Sequence, residues 1–294
     1  MMRVSNSQIY NMANRYLEQT STAYFNANEQ VSSGKRINRP SDDPNGAGRV
    51  TRYRADLSRL AQYQENISHA RTFLNQTEST LNLINSLRVS AKEIALQGAN
   101  GNHSSTELDN MAQSIATIKS QLVSLANTQV GDEYIFGGYD VSSPPYDSSG
   151  NYSGDDGEIE IRIGKNSTIK LNFPGENVLG AAGGVDLFQT LTDLQTALSG
   201  NDLSGIQTSI GNLDASEEQI MSAWSITGYR VNNLDGASNV LDQINLDTTE
   251  LISDTEDVDM SQAMMNFSKQ EVALQAVMAS SAKILQTNLL NFLK

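Results

Sequence analysis

Both ends of this chain carry a seven-residue repeat of apolar side chains, and this repeat constrains the fold more than any other feature. Near the N-terminus the repeat consists of Tyr10, Leu17, Tyr24 and Val31, with Ala13, Thr20 and Ala27 three positions further along. Near the C-terminus the apolar side chains fall three, four or seven residues apart: Met260, Met264, Phe267, Leu274, Met278, Leu285, Leu289 and Phe292. Such spacing forms one stripe on a helix, which must bury against another helix. We therefore predict that residues 1–33 and 258–294 form two helices that pair with each other.

Long helices are also predicted between the two ends. Residues 35–48 are rich in proline and glycine and predict a structured loop, with Asp43 as N-cap and Pro44 at the first helical position. Two heptad rows follow on one helix: Leu60, Ile67, Leu74 and Leu81, and Tyr63, Ala70, Thr77, Ile84 and Ala91. A capping box at Ser104 and Glu107 begins the next helix. Two more helices are predicted at 186–199 and 204–253.

The pattern changes between residues 134 and 180. Residues 134–139 read as a strand, whereas 158–163 and 167–173 alternate polar and apolar side chains and predict a hairpin with its turn at 164–167. The predicted fold is therefore mainly α: a long antiparallel helical rod with coiled-coil-like terminal helices and a small inserted β domain. The predicted domains are a terminal hairpin (1–34 and 256–294), a rod (35–133 and 181–255) and the β insertion (134–180).

Charge and composition exclude several classes of function. The net charge of −14 argues against a nucleic-acid partner, which requires a basic field, and against docking to an anionic membrane. There is no cysteine, and no apolar run is long enough to span a membrane. The first residues lack the apolar segment of a secretory signal peptide. These signs alone predict a cytosolic protein, unless the chain is exported without a cleaved signal.

No residue pattern predicts a catalytic, metal or cofactor site. His69 and His103 are the only histidines, and they lie on separate predicted elements. Residues 147–158 place oxygen-bearing side chains in the register of a calcium loop, but Tyr152 stands where the sharp turn requires glycine. We therefore expect an exposed polar loop there. Basic residues cluster at 35–59 and acidic residues at 235–259, so we hypothesise that these two segments meet and fix the helix register.

Several motifs resemble those of the bacterial flagellin family. Residues 33–44 read SGKRINRPSDDP and are similar to the N-terminal signature of that family, in the form found in its members at the junction between hook and filament. Similar segments occur at 93–100 (EIALQGAN), 228–234 (GYRVNNL) and 257–263 (DVDMSQA). The resemblance covers both terminal thirds of the chain in the family's order.

The resemblance implies a structural part of the bacterial flagellum that adapts the hook to the filament. It implies extracellular location, with export through the flagellar type III apparatus without a cleaved signal peptide. The implied partners are copies of the chain in a ring or helical layer, hook-associated protein 1, flagellin, and an export chaperone at the C-terminal helix. It also implies terminal helices that order only in the assembly. Asn14, Thr20, Gln270 and Ser281 interrupt the apolar stripes, which agrees with weak pairing in the monomer.

The residues that we expect at the assembly interface belong to the terminal stripes and to the loop at 35–48 with the start of the next helix. They are Tyr10, Leu17, Tyr24, Arg36, Asn38, Asp42, Asp43, Arg49, Arg52, Phe267, Leu274, Met278, Leu285, Leu289 and Phe292. Two alternatives remain open: a short flagellin that forms the filament itself, and a secreted adhesin or enzyme displayed on a flagellar scaffold.

Overall fold

Helices make up most of the computed structural model, which describes residues 6–101 and 103–292. The helices are α1 (Asn6–Ser33), α2 (Pro44–Asn100), α3 (Ser105–Ala126), α4 (Gly175–Val178), α5 (Leu187–Ser199), α6 (Leu203–Glu256) and α7 (Met260–Phe292). The short strands are β1 (Gln129–Val130), β2 (Glu133–Tyr134), β3 (Glu160–Arg162) and β4 (Thr168–Lys170), and a 3-10 turn spans Ala181–Gly183. The mainly α fold predicted from the heptad repeats is confirmed. No helix of the described residues is both long and apolar enough to cross a membrane.

The predicted helix boundaries are set by capping. Gly34, at a φ of 69°, follows the last residue of α1, a conformation that glycine adopts without steric cost. Asp43 accepts a hydrogen bond from the backbone N–H of Gly46 at 2.9 Å, and α2 begins at Pro44 as predicted. In front of α3 the Ser104 hydroxyl accepts from the N–H of Glu107, whose carboxylate accepts from the N–H of Ser104. The predicted capping box is thus confirmed.

The chain divides into two compact units. The terminal unit consists of Met1–Arg59 and Ile244–Lys294, and the central unit is Leu60–Gln243. α2 and α6 each contribute residues to both units. Our three-part division, with a separate β insertion, stays a prediction.

The core of the central unit is formed by the heptad rows of α2 and α6. The predicted α2 positions Ile67, Ala70, Leu74, Thr77, Leu81, Ile84 and Ala91 are all buried. On α6 the buried row also repeats in sevens: Ile206, Leu213, Ile220, Thr227, Leu234 and Leu241. The two helices are antiparallel here, because Gln64 hydrogen-bonds to Ser238 whereas Arg88 reaches the carbonyl of Leu213. α3 and α5 cover this core with further buried leucines and isoleucines.

The β structure is smaller than predicted. β3 and β4 pair antiparallel with Ile161 opposite Ile169, and the chain turns between them at 164–167 as expected. The prediction of a strand over residues 134–139 is wrong beyond Tyr134, since β2 ends there and Gly138 has a φ of 80°. The N–H groups of Tyr139 and Asp140 donate to the carboxylate of Asp155 instead of to a neighbouring strand. The segment therefore turns, and the carboxylate replaces a ladder partner.

Two buried arginines in the central unit were not anticipated. Arg88 continues an apolar heptad row, yet it is buried and pairs with Glu217 at 3.1 Å. The guanidinium of Arg230 lies 4.1 Å from the centre of the Phe173 ring and donates to the carbonyl of Asn172. Burial lowers the pKa of Arg230 from its usual value. Each charge is therefore compensated by a carboxylate, a carbonyl or a ring face.

Candidate assembly surface

The loop that follows α1 is held by its own polar side chains. One carboxylate oxygen of Asp42 accepts hydrogen bonds from the backbone N–H groups of Asn38 and Arg39 at 3.0 and 2.8 Å. The side-chain amide of Asn38 donates to the carbonyl of Lys35 at 3.0 Å. Two of the predicted interface residues, Asn38 and Asp42, therefore close the loop on itself. Their contacts within the chain explain why asparagine and aspartate stand there.

Asp43 joins the loop to the start of α2. The Gly46 N–H, together with the guanidinium of Arg36 at 3.3 Å, lowers the pKa of the Asp43 carboxyl from its usual value. A Cβ added at Gly46 would lie 2.5 Å from Cδ1 of Ile37 and 2.6 Å from Oδ2 of Asp43, so the ends of both side chains would have to shift. Arg36 also donates to the carbonyl of Thr255 at 2.8 Å. The loop is thereby tied to the end of α6 within the terminal unit.

Glu256, the last residue of α6, contacts both the loop and α2. Its side chain is almost fully buried and accepts from Lys35 at 3.1 Å and from Arg54 at 2.5 Å. Its backbone carbonyl accepts from the N–H groups of Arg36 and Ile37 at 2.7 and 3.4 Å. A nearly buried carboxylate is stable only with such compensation, so one residue fixes both the loop and the start of α2. The sequence places Glu256 within an acidic run and does not distinguish it from its acidic neighbours, although it is the last residue of α6.

The hypothesis about opposite charges is therefore met in part. Lys35 and Arg54, from the basic segment, both contact Glu256 in the acidic segment. Asp235, in the same acidic segment, pairs instead with Arg71, which lies outside the basic segment. Arg52 is exposed and forms no ion pair with any residue that the structure describes.

The two terminal helices pack against each other as an antiparallel pair. Where α1 ends and α7 is about to begin, the backbones of Lys35 and Asp257 form an isolated antiparallel β-bridge. Beside it, the N–H of Val258 donates to the carbonyl of Gly34. Further along, the rings of Tyr24 and Phe267 lie 5.4 Å apart. A cavity of 220 Å³ near the far end is lined by α1 and α7 residues, Ala13 and Tyr16 opposite Ala276, Val277, Ser280 and Ser281. Residue numbers rise on one helix as they fall on the other, which makes the pair antiparallel.

The side of α7 that faces α1 repeats every three or four residues. Its buried or half-buried members are Ala263, Phe267, Gln270, Leu274, Val277 and Ser281. Leu17 and Leu274 each lie one heptad from the Tyr24–Phe267 pair, so the register places them opposite each other. Tyr10, Leu17, Tyr24, Phe267 and Leu274 are thus brought together as half-buried members of one seam.

The remaining predicted residues lie elsewhere. Met278 is half exposed, because it is turned about 100° from Val277 and lies at the edge of the seam. Arg49 and Arg52 are exposed on the first turns of α2. The side chains of Leu285, Leu289 and Phe292 lie outside the described residues. None of these placements decides which residues contact other subunits, so the interface assignments stay predictions.

A second set of apolar side chains on the terminal pair is exposed. On α1 they are Met12, Tyr16 and Phe25, and on α7 they are Met260, Met264, Met265, Val272 and Met278. Val272 is 65% exposed and Phe25 is 63% exposed, although both lie on paired helices. Large exposed apolar side chains concentrated on two helices are typical of a contact site for another molecule. Pairing α1 with α7 therefore covers only part of the apolar surface that the two helices carry.

The remaining candidate sites offer no reaction centre in the described part of the chain. Asp147 accepts from the N–H groups of Ser149 and Asn151 and from the Asn151 amide, which together lower its pKa. These contacts make a tight turn, as expected for an exposed polar loop. No group of three or more histidine, aspartate or glutamate side chains suited to a metal ion occurs among the described residues. His103 contacts the carbonyl of Gln97, and His69 is exposed.

The chain is similar in sequence and in fold to known proteins. Residues 4–140 match the family described as "Bacterial flagellin N-terminal helical region". The chain is 26% identical to flagellar hook-associated protein 3 of Escherichia coli (strain K12) and 24% identical to that of Salmonella typhimurium, with 94% of each chain covered in both comparisons. The fold is also that of the crystal structure of Bacillus cereus FlgL, with a TM-score of 0.61 at 23% identity, over 69% of this chain and 99% of the other. The resemblance indicated by the sequence motifs is confirmed.

Proposed function

We propose that this chain, a relative of flagellar hook-associated protein 3 along nearly its whole length, is a structural component of the bacterial flagellum that joins the hook to the filament. Its role is mechanical. Copies of the chain form a layer by packing their terminal helices together, and this layer adapts the hook to the filament. No catalytic step is required of any residue in this role.

The observation that carries the proposal is the exposed apolar surface of the terminal pair. Phe25 on α1 and Met265 and Val272 on α7 are all more than half exposed, yet they belong to helices whose facing sides are already in contact. Covering these side chains with neighbouring copies removes them from water, at about 25 cal/mol for each Å² of apolar area. The assembly therefore completes a core that the single chain begins.

The central unit offers a second contact surface on its long helices. A groove of 440 Å³ between α2 and α3 is lined by Leu83, Leu87 and Leu125, with serines and Gln121 at its edges. Leu83 is half exposed, and the groove contains no charged side chain among its lining residues. We assign lateral contacts between copies to this unit and the inner contacts to the terminal pair.

The partners and location follow from the same proposal. The layer would contact hook-associated protein 1 on one side and flagellin on the other, outside the cell. Export would use the flagellar type III apparatus without a cleaved signal peptide. Before export, a chaperone would cover the C-terminal helix, whose exposed methionines otherwise attract other apolar surfaces.

The direct test uses a strain that lacks this protein and measures swimming and filament growth. The full chain should restore both, whereas a chain without residues 285–294 should be made and exported but should not restore filaments. Normal filaments from the truncated chain would contradict the proposal.

A matched pair of point variants locates the contact. Val272→Asp changes the exposed face of α7, whereas Val240→Asp changes a valine of similar exposure, 58%, in the central unit. Val272→Asp should reduce incorporation into flagella more than Val240→Asp does. Equal incorporation of the two variants would count against the terminal pair as the main interface.

The alternative, a short flagellin, makes a different prediction for the purified protein. A junction protein should stay monomeric until hooks are added, because its layer assembles on the end of the hook, which is formed by different proteins. Light scattering and electron microscopy of the protein alone would show this. Spontaneous growth of long filaments would favour the flagellin alternative.

A further inference from the structure

We propose that Met260, Met264, Met265 and Met278 of α7 form an oxidation site for hydrogen peroxide or hypochlorous acid, and that their conversion to sulfoxides blocks assembly while leaving the monomer folded. The effect on assembly rests on the proposed function. The selective oxidation of these four side chains and the survival of the fold do not.

The thioethers are the most reactive soft groups of this chain. The sequence contains no cysteine that would react first. The four α7 methionines are between 46 and 61% exposed, and Met264 and Met265 are adjacent. The thioether sulfur attacks one oxygen of hydrogen peroxide, an S–O bond forms as the O–O bond breaks, and water leaves. The sulfur is oxidised by two electrons and the peroxide is reduced by two, so no further reagent is needed. With hypochlorous acid the sulfur takes up chlorine, water then displaces chloride, and the products are the sulfoxide and hydrochloric acid.

The four α7 methionines are more exposed than the methionine that packs against the central core. Met111 on α3 is partly buried and packs against the central core. Met12 and Met221 are exposed but lie singly on α1 and α6. Four of the exposed thioethers are therefore concentrated on a single helix, and oxidation should modify that helix before the core.

The α1–α7 seam contains no methionine among the described residues. The residues of α7 that face α1 are Ala263, Phe267, Leu274 and Val277, with Gln270 and Ser281 between them. On a helix that turns about 100° per residue, Met265 lies on the side opposite the seam, whereas Met260, Met264 and Met278 lie beside the seam. All four are about half exposed or more, so a sulfoxide oxygen on any of them remains in contact with water. Oxidation therefore changes the outer surface without removing a contact that holds the two helices together.

In the assembly, the sulfoxides would no longer be in contact with water. Once neighbouring copies cover these exposed side chains of α7, each sulfoxide loses its water and must find another hydrogen-bond donor. Burial of an unpaired polar group costs about 1–3 kcal/mol, so each covered sulfoxide weakens incorporation by about fivefold to a hundredfold. Several oxidised positions on one helix should therefore exclude the chain from the layer.

The first experiment maps the oxidation. The full-length protein is treated with a few equivalents of hypochlorous acid, quenched with free methionine and analysed by peptide mass spectrometry and circular dichroism. We expect sulfoxides at Met260, Met264, Met265 and Met278 before Met111, with the helical signal unchanged. Oxidation of Met111 at the same rate, or loss of helicity at low oxidant, would overturn the proposal.

The second experiment measures incorporation by co-sedimentation with isolated hooks. The untreated chain tests the proposed function, because its failure to sediment with hooks would contradict that function. In that case the oxidation map alone would still test the selective oxidation of the four methionines. Where the untreated chain sediments, the oxidised chain should sediment at least about tenfold less. The variant with Met260→Leu, Met264→Leu, Met265→Leu and Met278→Leu should sediment before and after treatment. Equal sedimentation of oxidised and untreated wild type would overturn the proposed effect on assembly.

A positional control separates this site from general damage. Met221→Gln places a polar side chain at an exposed methionine of the central unit, 43% against 61% for Met265, whereas Met265→Gln places one on α7. Only Met265→Gln should reproduce the loss of incorporation. The same loss from Met221→Gln alone would contradict the assignment to α7.

Discussion

The terminal and central units use the same heptad repeat and reach different degrees of burial. In the central unit the rows of α2 and α6 are sealed, and Phe73, Leu74 and Leu81 are fully buried. Among the described residues of the terminal unit the buried apolar side chains are few and mostly small: Ala27, Ile37, Val50 and Ala263. A seven-residue repeat therefore predicts that a helix will pair, but not that the pair will exclude water.

The difference comes from what covers each helix pair. In the central unit α3, α5 and the β hairpins add layers, so each long helix is in contact on more than one side. In the terminal unit α1 and α7 contact only one stripe of each other, and polar residues such as Gln270 lie within that stripe. Little apolar area then offsets the entropy of ordering the two helices. Order in the terminal unit should therefore depend on neighbouring copies.

The largest expected effect is in the central core. Leu81→Ala leaves a cavity at a fully buried site and should lower the free energy of unfolding by about 2–5 kcal/mol. Leu83→Ala, on the exposed side of the same helix turn, should change it by less than about 0.5 kcal/mol. Denaturant unfolding followed by circular dichroism measures both. Similar losses of unfolding free energy for the two variants would mean that the heptad rows of α2 do not form the core of the central unit.

The next largest effect is expected at the contacts between Glu256 and the loop that follows α1. Glu256→Gln keeps the shape but weakens the contacts to Lys35 and Arg54, which are partly exposed, so we expect a loss of about 1–2 kcal/mol. Amide exchange at Arg36 and Ile37 would report it, with the exposed Asp254→Asn as control. Unchanged exchange in Glu256→Gln would show that the backbone contacts alone hold the loop.

A smaller effect on the monomer is expected from the terminal seam. Leu274 is only half buried, so Leu274→Ala should lower the free energy of global unfolding by no more than about 1 kcal/mol. Its incorporation into flagella should nevertheless fall, because the seam orients the surface that neighbours contact. Leu246→Ala, at an exposed position of α6, is the control. A loss as large as that of Leu81→Ala would remove the contrast between the two units.

The smallest effect appears at acid pH and also differs between the units. Backbone N–H groups of Tyr139 and Gly157 lower the pKa of Asp155 below its ordinary value of 3.8. Because the folded-state pKa is the lower one, the stabilisation is complete above about pH 4 and is lost as the pH falls through the folded-state pKa. Asp155→Asn should flatten the dependence of central-unit stability on pH below 4, as measured by denaturant titrations. A slope equal to that of the wild type would exclude Asp155 as its source.

Asp43 supplies the corresponding carboxylate in the terminal unit. Its pKa is lowered by the Gly46 N–H and by Arg36, so the sign of the pH effect is the same. Asp43→Asn should alter amide exchange at the first turn of α2 without changing global unfolding. A change in global unfolding would instead mean that the two units unfold together.

Local rules predicted the helices and their ends well. The spacing of Leu60, Ile67, Leu74 and Leu81 fixed the buried side of α2, and Ser104, Pro44 and Gly34 marked boundaries that the structure confirms. These features depend on residues a few positions apart, which a sequence shows directly. The failed strand beyond Tyr134 depended instead on Asp155, which is distant in sequence.

The candidate site was predictable only in outline. The pairing of the terminal stripes followed from their period, but the side of α7 that faces α1 includes Val277 and not Met278, a choice that the apolar pattern leaves open. Glu256 could not be singled out because its burial arises from a loop more than two hundred residues earlier in the chain. The roles of Arg88 and Arg230 likewise depend on partners far along the chain, such as Glu217 and Phe173.

The measurement that tests the central claim most directly is amide hydrogen exchange of the isolated chain and of the same chain within assembled flagella. In the isolated chain, the amides of α1 and α7 should exchange at least about a hundredfold faster than those of α2 between Phe73 and Ile84. In the assembly, both sets should be protected. Full protection of α1 and α7 in the isolated molecule would contradict the claim that neighbouring copies complete their core.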